Sequence, residues 1–396
     1  MGAVGYFTAE IGLWSDLKTY SGGLGVLAGD HVKSAADAGI PLVGVTLLYR
    51  EGYGKQHLDK LGNQTETFPT LEPSQHMTKT DIEFSLDLDN TQIKISVWKV
   101  EIEGILGHNV PVYFLDTFNE DNTPEHRSLS GRLYGGDDNT RIRQEYILGV
   151  GGVRLFDFLD QDLSGIHLNE GHCTFALLEL LEKGWSRQYL REHTLFTTHT
   201  PVPAGHDRFD WSLVEHVMGD KLPQDAVELV KIAGDSENGN RCSMSHLAVG
   251  LCTSVNAVSK LNAEVASTMF ANRVITPITN GVHHITWTSD SMANLFDKSL
   301  PGWKENPKIL QNTENLPNHE LFESREQARQ LLRNRVKTDT GVELFKDRLT
   351  IGFARRFATY KRANLIFHDL DRLKKIGAKK IQFVFSGKAH PRDNGG

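Results

Sequence analysis

The sequence predicts an α/β protein, and two patterns carry that prediction. Short β-rich apolar runs alternate with amphipathic helical stretches over most of the chain, which argues for parallel sheets with helices on both faces. With 396 residues, 39% of them hydrophobic and 23% charged, the chain is long enough to bury two cores. One section departs from the pattern. Ile82 to Asp87 and Gln92 to Glu101 alternate apolar and polar residues about a Leu-Asp-Asn-Thr turn, as an antiparallel hairpin does, and this is expected as an insertion beside the main sheet.

Element by element, strands are expected at Val4 to Phe7, Leu42 to Leu48, Val110 to Leu115, Gly165 to Leu168, Thr194 to Thr197, Ile275 to Thr279, Leu349 to Phe353 and Ile381 to Phe385. Helical periodicity covers Leu24 to Ala38, Thr140 to Leu159, Thr174 to Glu182, Met244 to Lys260, Arg325 to Arg335 and Lys361 to Lys375. A polar, loop-rich stretch runs from Ser299 to Glu320, and Thr338 to Lys346 reads as a hinge before a new strand. The expected division is therefore 1–338 and 339–396. The second part is too short to close a core by itself, and its last residues, Asp393 to Gly396, are expected in a loop.

The formal net charge of −7 offers no general attraction for nucleic acid or anionic lipid, so an anion must be held by a local cluster. Cys173, Cys242 and Cys252 are too few and too scattered for a disulfide frame or a zinc site, which fits buried thiols in a reducing cytoplasm. The first ten residues have no basic start or apolar core of a signal peptide. No stretch is apolar over the roughly eighteen residues that a membrane helix needs.

In open α/β sheets, ligands bind where strand carboxyl ends meet helix N-termini. Tyr20-Ser21-Gly22-Gly23-Leu24-Gly25 immediately precedes a helix and turns free N–H groups toward an anion, although a tight turn with no ligand has the same signature. Ile166-His167-Leu168-Asn169-Glu170-Gly171-His172 and the run from Thr197 to His206 each read as a strand, a polar turn and a helix. Neither His167 with His172 nor His199 with His206 has the helical spacing of a metal site, so hydrogen bonding to a polar ligand or to backbone is expected, and no metal. Asn280 lies at a further strand end; nearby, Trp287 is either a sugar-covering indole or a core residue. The densest signal is Arg355, Arg356, Lys361 and Arg362, between a strand and an expected helix. The helix dipole disfavours each exposed cation at that end by about 0.3–1 kcal/mol. Two phosphate groups side by side would explain the gathering; a solvated surface run is the alternative.

Taken in order from Tyr6 to Lys388, these motifs resemble the α-glucan (glycogen or maltodextrin) phosphorylase family in its short, non-regulated bacterial and archaeal form. The resemblance implies two Rossmann-like domains facing a cleft, the GT-B type, with pyridoxal phosphate held mainly by the second. It implies phosphorolysis, in which inorganic phosphate cleaves the terminal α-1,4 bond of a glucan (glycogen, starch or maltodextrin) and releases glucose-1-phosphate with retention. By the same resemblance Gly22, Gly23 and Leu24 offer amides to phosphate and sugar, and His199 contacts the glucosyl unit with Thr200 beside it. Asn280 hydrogen-bonds the sugar, Glu170 and His172 fall on the acceptor side, and Tyr360 lies near glucosyl and cofactor. Arg355, Lys361 and Trp287 belong to the cofactor, while Arg356 binds the substrate phosphate and acts with His199 and Lys361 in catalysis.

Departures matter too. Arg355 and Glu170 replace the lysine and aspartate of the longer animal enzymes, and no counterpart of their phosphorylated segment precedes Tyr6, so no such control is expected. Lys388 matches an earlier motif than the one carrying the Schiff-base lysine, which is expected beyond Gly396. The chain as written is thus expected to be inactive, with a sheet edge exposed after Phe385. Two alternatives remain open: a nucleotide-sugar-dependent glucan synthase of similar architecture, and a glucan-binding fragment without activity. A homodimer is expected by family analogy.

Overall fold

A computed structural model describes residues 2–202, 205–222, 228–229, 232, 241–270, 273–389, 393 and 395. In chain order the strands are β1 (Ala3–Thr8), β2 (Leu42–Leu47), β3 (Lys55–Leu58), β4 (Gln64–Thr67), β5 (Thr78–Leu88), β6 (Thr91–Glu103) and β7 (Asn109–Asp116). They continue with β8 (Leu163–Asn169), β9 (Thr194–Thr198), β10 (Arg208–Asp210), β11 (Arg241–Ser243), β12 (Ser254–Ala257), β13 (Thr276–Pro277), β14 (Leu349–Ala354) and β15 (Ile381–Ser386).

The structure divides into two units, one of residues 1–55 and 68–283, the other of 56–67 and 284–396. In the first, nine strands form one sheet in the order β13-β12-β9-β8-β1-β2-β7-β6-β5. From β13 to β7 the neighbours are parallel. From β7 to β5 they are antiparallel. Because successive strand side chains face opposite ways, β1 sends Phe7 to one face and Tyr6 to the other. Phe7 joins Val43, Val45, Leu115 and the helical residues Tyr146 and Phe175. Tyr6 joins Leu42, Val112, Phe114 and three residues of helix Gly23–Asp37, namely Ala28, Val32 and Ala36. Full burial of each large side chain contributes about 1.5–3 kcal/mol, which is what fixes the strand faces. The predicted α/β class with helices on both sides of a sheet is thus observed.

In the second unit, helices Asp290–Ser299 and Asn318–Thr340 enclose a small core of Leu295, Phe296, Leu300, Trp303 and Leu316. The Trp303 indole donates to Asp297 Oδ1 at 2.8 Å, so the polar stretch expected from Ser299 to Glu320 hides this unit's anchor. β14 and β15 pair in parallel, from Leu349 with Ile381 to Ala354 with Ser386. Gln64 clamps the segment after β15, accepting from the Ala389 N–H at 2.9 Å and donating to its carbonyl at 3.2 Å.

Several expectations require correction. The span from Met244 to Lys260 is not one helix: helix Met244–Leu251 ends, β12 follows between β9 and β13, and helix Lys260–Met269 begins. The apolar run hides the break, but Ser259 marks it by accepting from the Asn262 N–H at 3.0 Å. Lys361 to Lys375 likewise holds 3₁₀ turns at Thr359–Lys361 and Leu365–Phe367, and the α-helix is Leu370–Gly377, capped by Asp369. The cations after β14 therefore do not stand at an α-helix N-terminus, and the dipole argument for them falls. The hairpin is no insertion beside the sheet, because β6 pairs with β7 from Ser96 to Glu103 and extends it. Ile275 to Thr279 shortens to Thr276–Pro277, since Pro277 brings no N–H to a ladder. Among the described residues no helix is long and apolar enough to cross a membrane, and Cys173, Cys242 and Cys252 are buried free thiols. Pro203, Ala204, Asn394 and Gly396 lie outside the described residues.

Candidate functional site

Parallel pairing brings the carboxyl ends of β1, β8, β9, β12 and β13 to one edge. Thr8 stands opposite Asn169, Asn169 opposite Thr197, and Ala257 between Thr198 and Pro277. The turns that begin at Ala9, Glu170, His199 and Ile278 all leave from this edge, where ligands of open α/β sheets bind. Asn280 is exposed there, with its N–H bonded to the Val258 carbonyl at 3.1 Å.

The glycine loop is anchored by a residue that the motifs did not flag. Glu10, two positions past β1, accepts from the Ser21 N–H at 2.5 Å and the Gly22 N–H at 3.3 Å, and from the Tyr134 hydroxyl at 2.8 Å. Gly23 and Leu24 fall in the first turn of the helix, before i→i−4 bonding can occupy their amides. A Cβ on Gly22 or Gly23 would meet only open space, whereas on Gly25 it would press on Tyr20 at 2.5 Å and Glu10 Oε2 at 2.9 Å. The loop's glycines thus divide between an open side and a packed side.

Between β8 and β9, Asn169 donates to Thr8 Oγ1 at 3.0 Å and offers Oδ1 to His199 Nε2 at 2.6 Å. That contact makes Nε2 the protonated nitrogen and leaves Nδ1 as an acceptor. Burial lowers the pKa of His199 against the opposing pull of Glu170, which favours the neutral ring. Glu170 is 3% exposed at φ +74°, and its Oε1 accepts from the His199 N–H at 2.6 Å and the Thr200 N–H at 2.9 Å. Its carboxylate is taken up by backbone and pins the two turns together. His206 bonds Ser245 Oγ at 2.8 Å and the Thr200 carbonyl at 3.1 Å, so both of its nitrogens have protein partners.

Deeper lies a charged cluster that sequence reasoning missed apart from His172. Arg141 stacks over the Tyr134 ring at 4.6 Å and donates through Nε and Nη2 to Asp207 Oδ2 at 3.3 and 3.1 Å. His172 Nε2 stands 3.3 Å from the same oxygen, and burial, reinforced by Arg141, lowers its pKa to about 4. Glu145, His172 and Asp207 each bring a potential ligand atom within 4.8 Å of the others, but the guanidinium of Arg141 already supplies the local cation. The only sequence signal was the i, i+4 pair Arg141 and Glu145 in helix Asp138–Tyr146.

In the second unit, Arg355 and Arg356 follow β14 directly, and the segment runs beside the one after β15. The Arg355 N–H bonds the Ser386 carbonyl at 3.1 Å, and the Phe357 N–H bonds the Lys388 carbonyl at 2.9 Å. Gly387 sits at φ +154°, where a Cβ would strike the Arg355 carbonyl oxygen, so the approach depends on glycine. Arg356 and Lys361 are half-buried, while Arg355 and Arg362 are exposed. Tyr360 is exposed, its ring centroid 5.6 Å from Lys361 Nζ, and Trp287 at 58% exposure is not a core residue. On the same segment an open cavity of roughly 430 Å³ is lined by Phe357, Thr359, Asn364, Phe367 and Phe385 among others.

Open amides, imidazole, asparagine and hydroxyl groups gather along the carboxyl edge of a largely parallel sheet, and the class so defined is an α/β protein with polar groups at its strand ends, where such folds in general bind ligands. The chain belongs to the carbohydrate phosphorylase family, whose model matches residues 176–394. It is 37% identical to the maltodextrin phosphorylase of Thermococcus litoralis, over 99% of this chain and 51% of that protein. It is 33% identical to the glycogen phosphorylase of Mycobacterium tuberculosis, over 99% of this chain and 52% of that protein. An uncharacterised protein of Methanocaldococcus jannaschii is 31% identical, over 98% of this chain and 70% of its own length. The chain thus spans about half the length of the first two relatives.

Proposed function

We propose that this chain is part of an α-glucan phosphorylase, which uses inorganic phosphate to cleave the terminal α-1,4-linked glucose of a glucan and releases glucose-1-phosphate with retention. The observation that carries the reading is His199, kept neutral by burial, its tautomer set by Asn169 and its main chain fixed by Glu170, at the strand ends of the unit that also carries an open glycine loop. A rigid, uncharged imidazole suits a glucosyl hydroxyl, and the amides of Gly23 and Leu24 suit oxygens that gain negative charge. Thr200 and Asn280 add hydrogen-bonding groups for the sugar, with Glu170 as the support that sets His199 and His172 near the acceptor. In this reading 1–338 and 339–396 are parts of two Rossmann-like domains of the GT-B type. The whole protein is a cytoplasmic homodimer.

Arg355, Arg356 and Lys361 have the donor chemistry to hold phosphate, a half-buried guanidinium and ammonium at the end of β14 with a second guanidinium beside them. Arg355 and Lys361 would hold the phosphate of pyridoxal phosphate and Trp287 would belong to the same cofactor site, and no lysine of this chain is assigned to its aldehyde. When bound, the cofactor supplies a phosphate that exchanges a proton with inorganic phosphate. Arg356 holds that inorganic phosphate, Lys361 offsets its charge, and Tyr360 borders the glucosyl unit. As the glucan oxygen departs, positive charge grows at the anomeric carbon, and a phosphate held among cations serves as both acid and counter-ion.

Extending a maltodextrin primer with glucose-1-phosphate should release inorganic phosphate from the whole protein. Turnover only with a nucleotide sugar, releasing nucleoside diphosphate, would make it a synthase. Arg356→Ala should raise KM for phosphate at least tenfold and leave glucan affinity within about twofold. Equal losses in both would contradict the role given to Arg356.

A further inference from the structure

Glu145 is 2% exposed, and neither of its oxygens accepts a hydrogen bond from an N–H or hydroxyl group among the described residues. The guanidinium of Arg141 stands 3.6 Å from Oε1 but directs Nε and Nη2 at Asp207 Oδ2. His172 Nε2 faces that same oxygen at 3.3 Å. Other titratable groups near this cluster are Tyr134, Tyr49, Cys173, Cys242, Glu10, Glu170 and His206. With His172 neutral, the buried carboxyl of Glu145 and the half-buried one of Asp207 share one guanidinium, so among the described residues the cluster is one proton short of balance. An unpaired buried charge is costly, and a proton between the carboxyl groups removes it.

We propose that Glu145 is a positioning residue: its carboxyl keeps a proton and donates it to Asp207, and the pair, braced by Arg141, holds His172 in one orientation at the sheet edge. Burial and the neighbouring Asp207 both push the Glu145 carboxyl well above the carboxylate range. Burial opposes ionisation of Asp207, but Arg141, His172 and the Glu145 hydrogen bond outweigh it and hold Asp207 well below that range. Adjacent carboxyls that share one guanidinium titrate as a pair. The link to glucan rests on the proposed acceptor role of His172; the location of the proton does not.

Glu145→Gln keeps a donor toward Asp207 and cannot ionise, so thermal unfolding of the full-length protein against pH separates the cases. A raised folded-state pKa gives stability that is complete below the unfolded value, about 4.3, and lost as pH rises through the folded one. The Tm of Glu145→Gln minus that of the parent should therefore climb by about 2 °C or more between about pH 5 and about pH 8. A flat or falling difference means an ionised Glu145 paired with Arg141 and overturns the proposal. Infrared spectra should show a protonated-carboxyl C=O band that shifts in D₂O and is lost in Glu145→Gln; its absence from the parent also overturns it. Glu145→Ala should raise KM for glucan several-fold and leave KM for phosphate unchanged, and equal changes would break the link to His172. A parent without phosphorolysis would sink the proposed function, leaving the Tm and infrared results to decide where the proton sits.

Discussion

At φ +74°, Glu170 occupies a backbone region that costs a non-glycine residue about 1–3 kcal/mol, and it is held there by its own carboxylate. Glu170→Ala should remove the acceptor of the His199 and Thr200 amides, at about 1–3 kcal/mol for each amide left unpaired. Denaturant unfolding measures this, and a loss below about 0.5 kcal/mol would mean that water or a shifted turn replaces the carboxylate. The glycine loop allows a paired comparison. Gly23→Ala should keep stability within about 1 kcal/mol of the parent, since its Cβ enters open space on a helix. Gly25→Ala should cost about 1–3 kcal/mol by overpacking Tyr20 and Glu10, and equal stabilities would refute the division of roles. The positions of His199 and Asn280 were legible because each lies in a short motif after a strand, and that of the glycines because they lie directly before a helix. Glu10, Arg141, Glu145 and Asp207 were not, because they act on residues far along the chain and leave no local pattern.

The hairpin was the most legible element, since alternation and a polar turn are local signals. Asp89 and Asn90 take φ +54° and +58°, the pair of left-handed values that a two-residue turn needs to match strand twist. Asn90→Gly should be neutral or stabilising by up to about 1 kcal/mol, whereas Asn90→Val should cost about 1–2 kcal/mol. Chemical denaturation of the two variants checks this, and a destabilised glycine variant would show that the Asn90 side chain matters more than its backbone. The hairpin's place in the main sheet was not legible, because pairing of β6 with β7 is a choice of partner. The break at Thr253 was missed for a related reason. An apolar run reads alike as a buried strand or a buried helix, and only the slot between β9 and β13 makes Ser254–Ala257 a strand.

For the whole molecule, buried histidines link stability to pH. His167 Nε2 bonds Thr197 Oγ1 at 2.7 Å, and burial, with His31 and His199, lowers its pKa to about 3. The unfolded chain takes up this proton near pH 6.5 and the folded protein only near 3, so stability present above about 6.5 is lost as pH falls across that window. The slope is at most about 1.4 kcal/mol per pH unit, and His167→Gln should remove it. Unfolding free energies measured from about pH 7 to about pH 4 should therefore converge for variant and parent on acidification. Parallel curves would mean that His167 is not held neutral by the fold.

The amino-acid sequence by itself determined the α/β class, most of the element positions and the strand-end motifs, because periodicity and turn chemistry act over a few neighbouring residues. Tertiary structure decided which strands pair, that 3₁₀ turns and not an α-helix come after the arginines that follow β14, and which acids brace the turns. Those outcomes depend on groups far apart in the chain meeting where water is excluded, and there an unmatched charge or amide costs enough to select one arrangement.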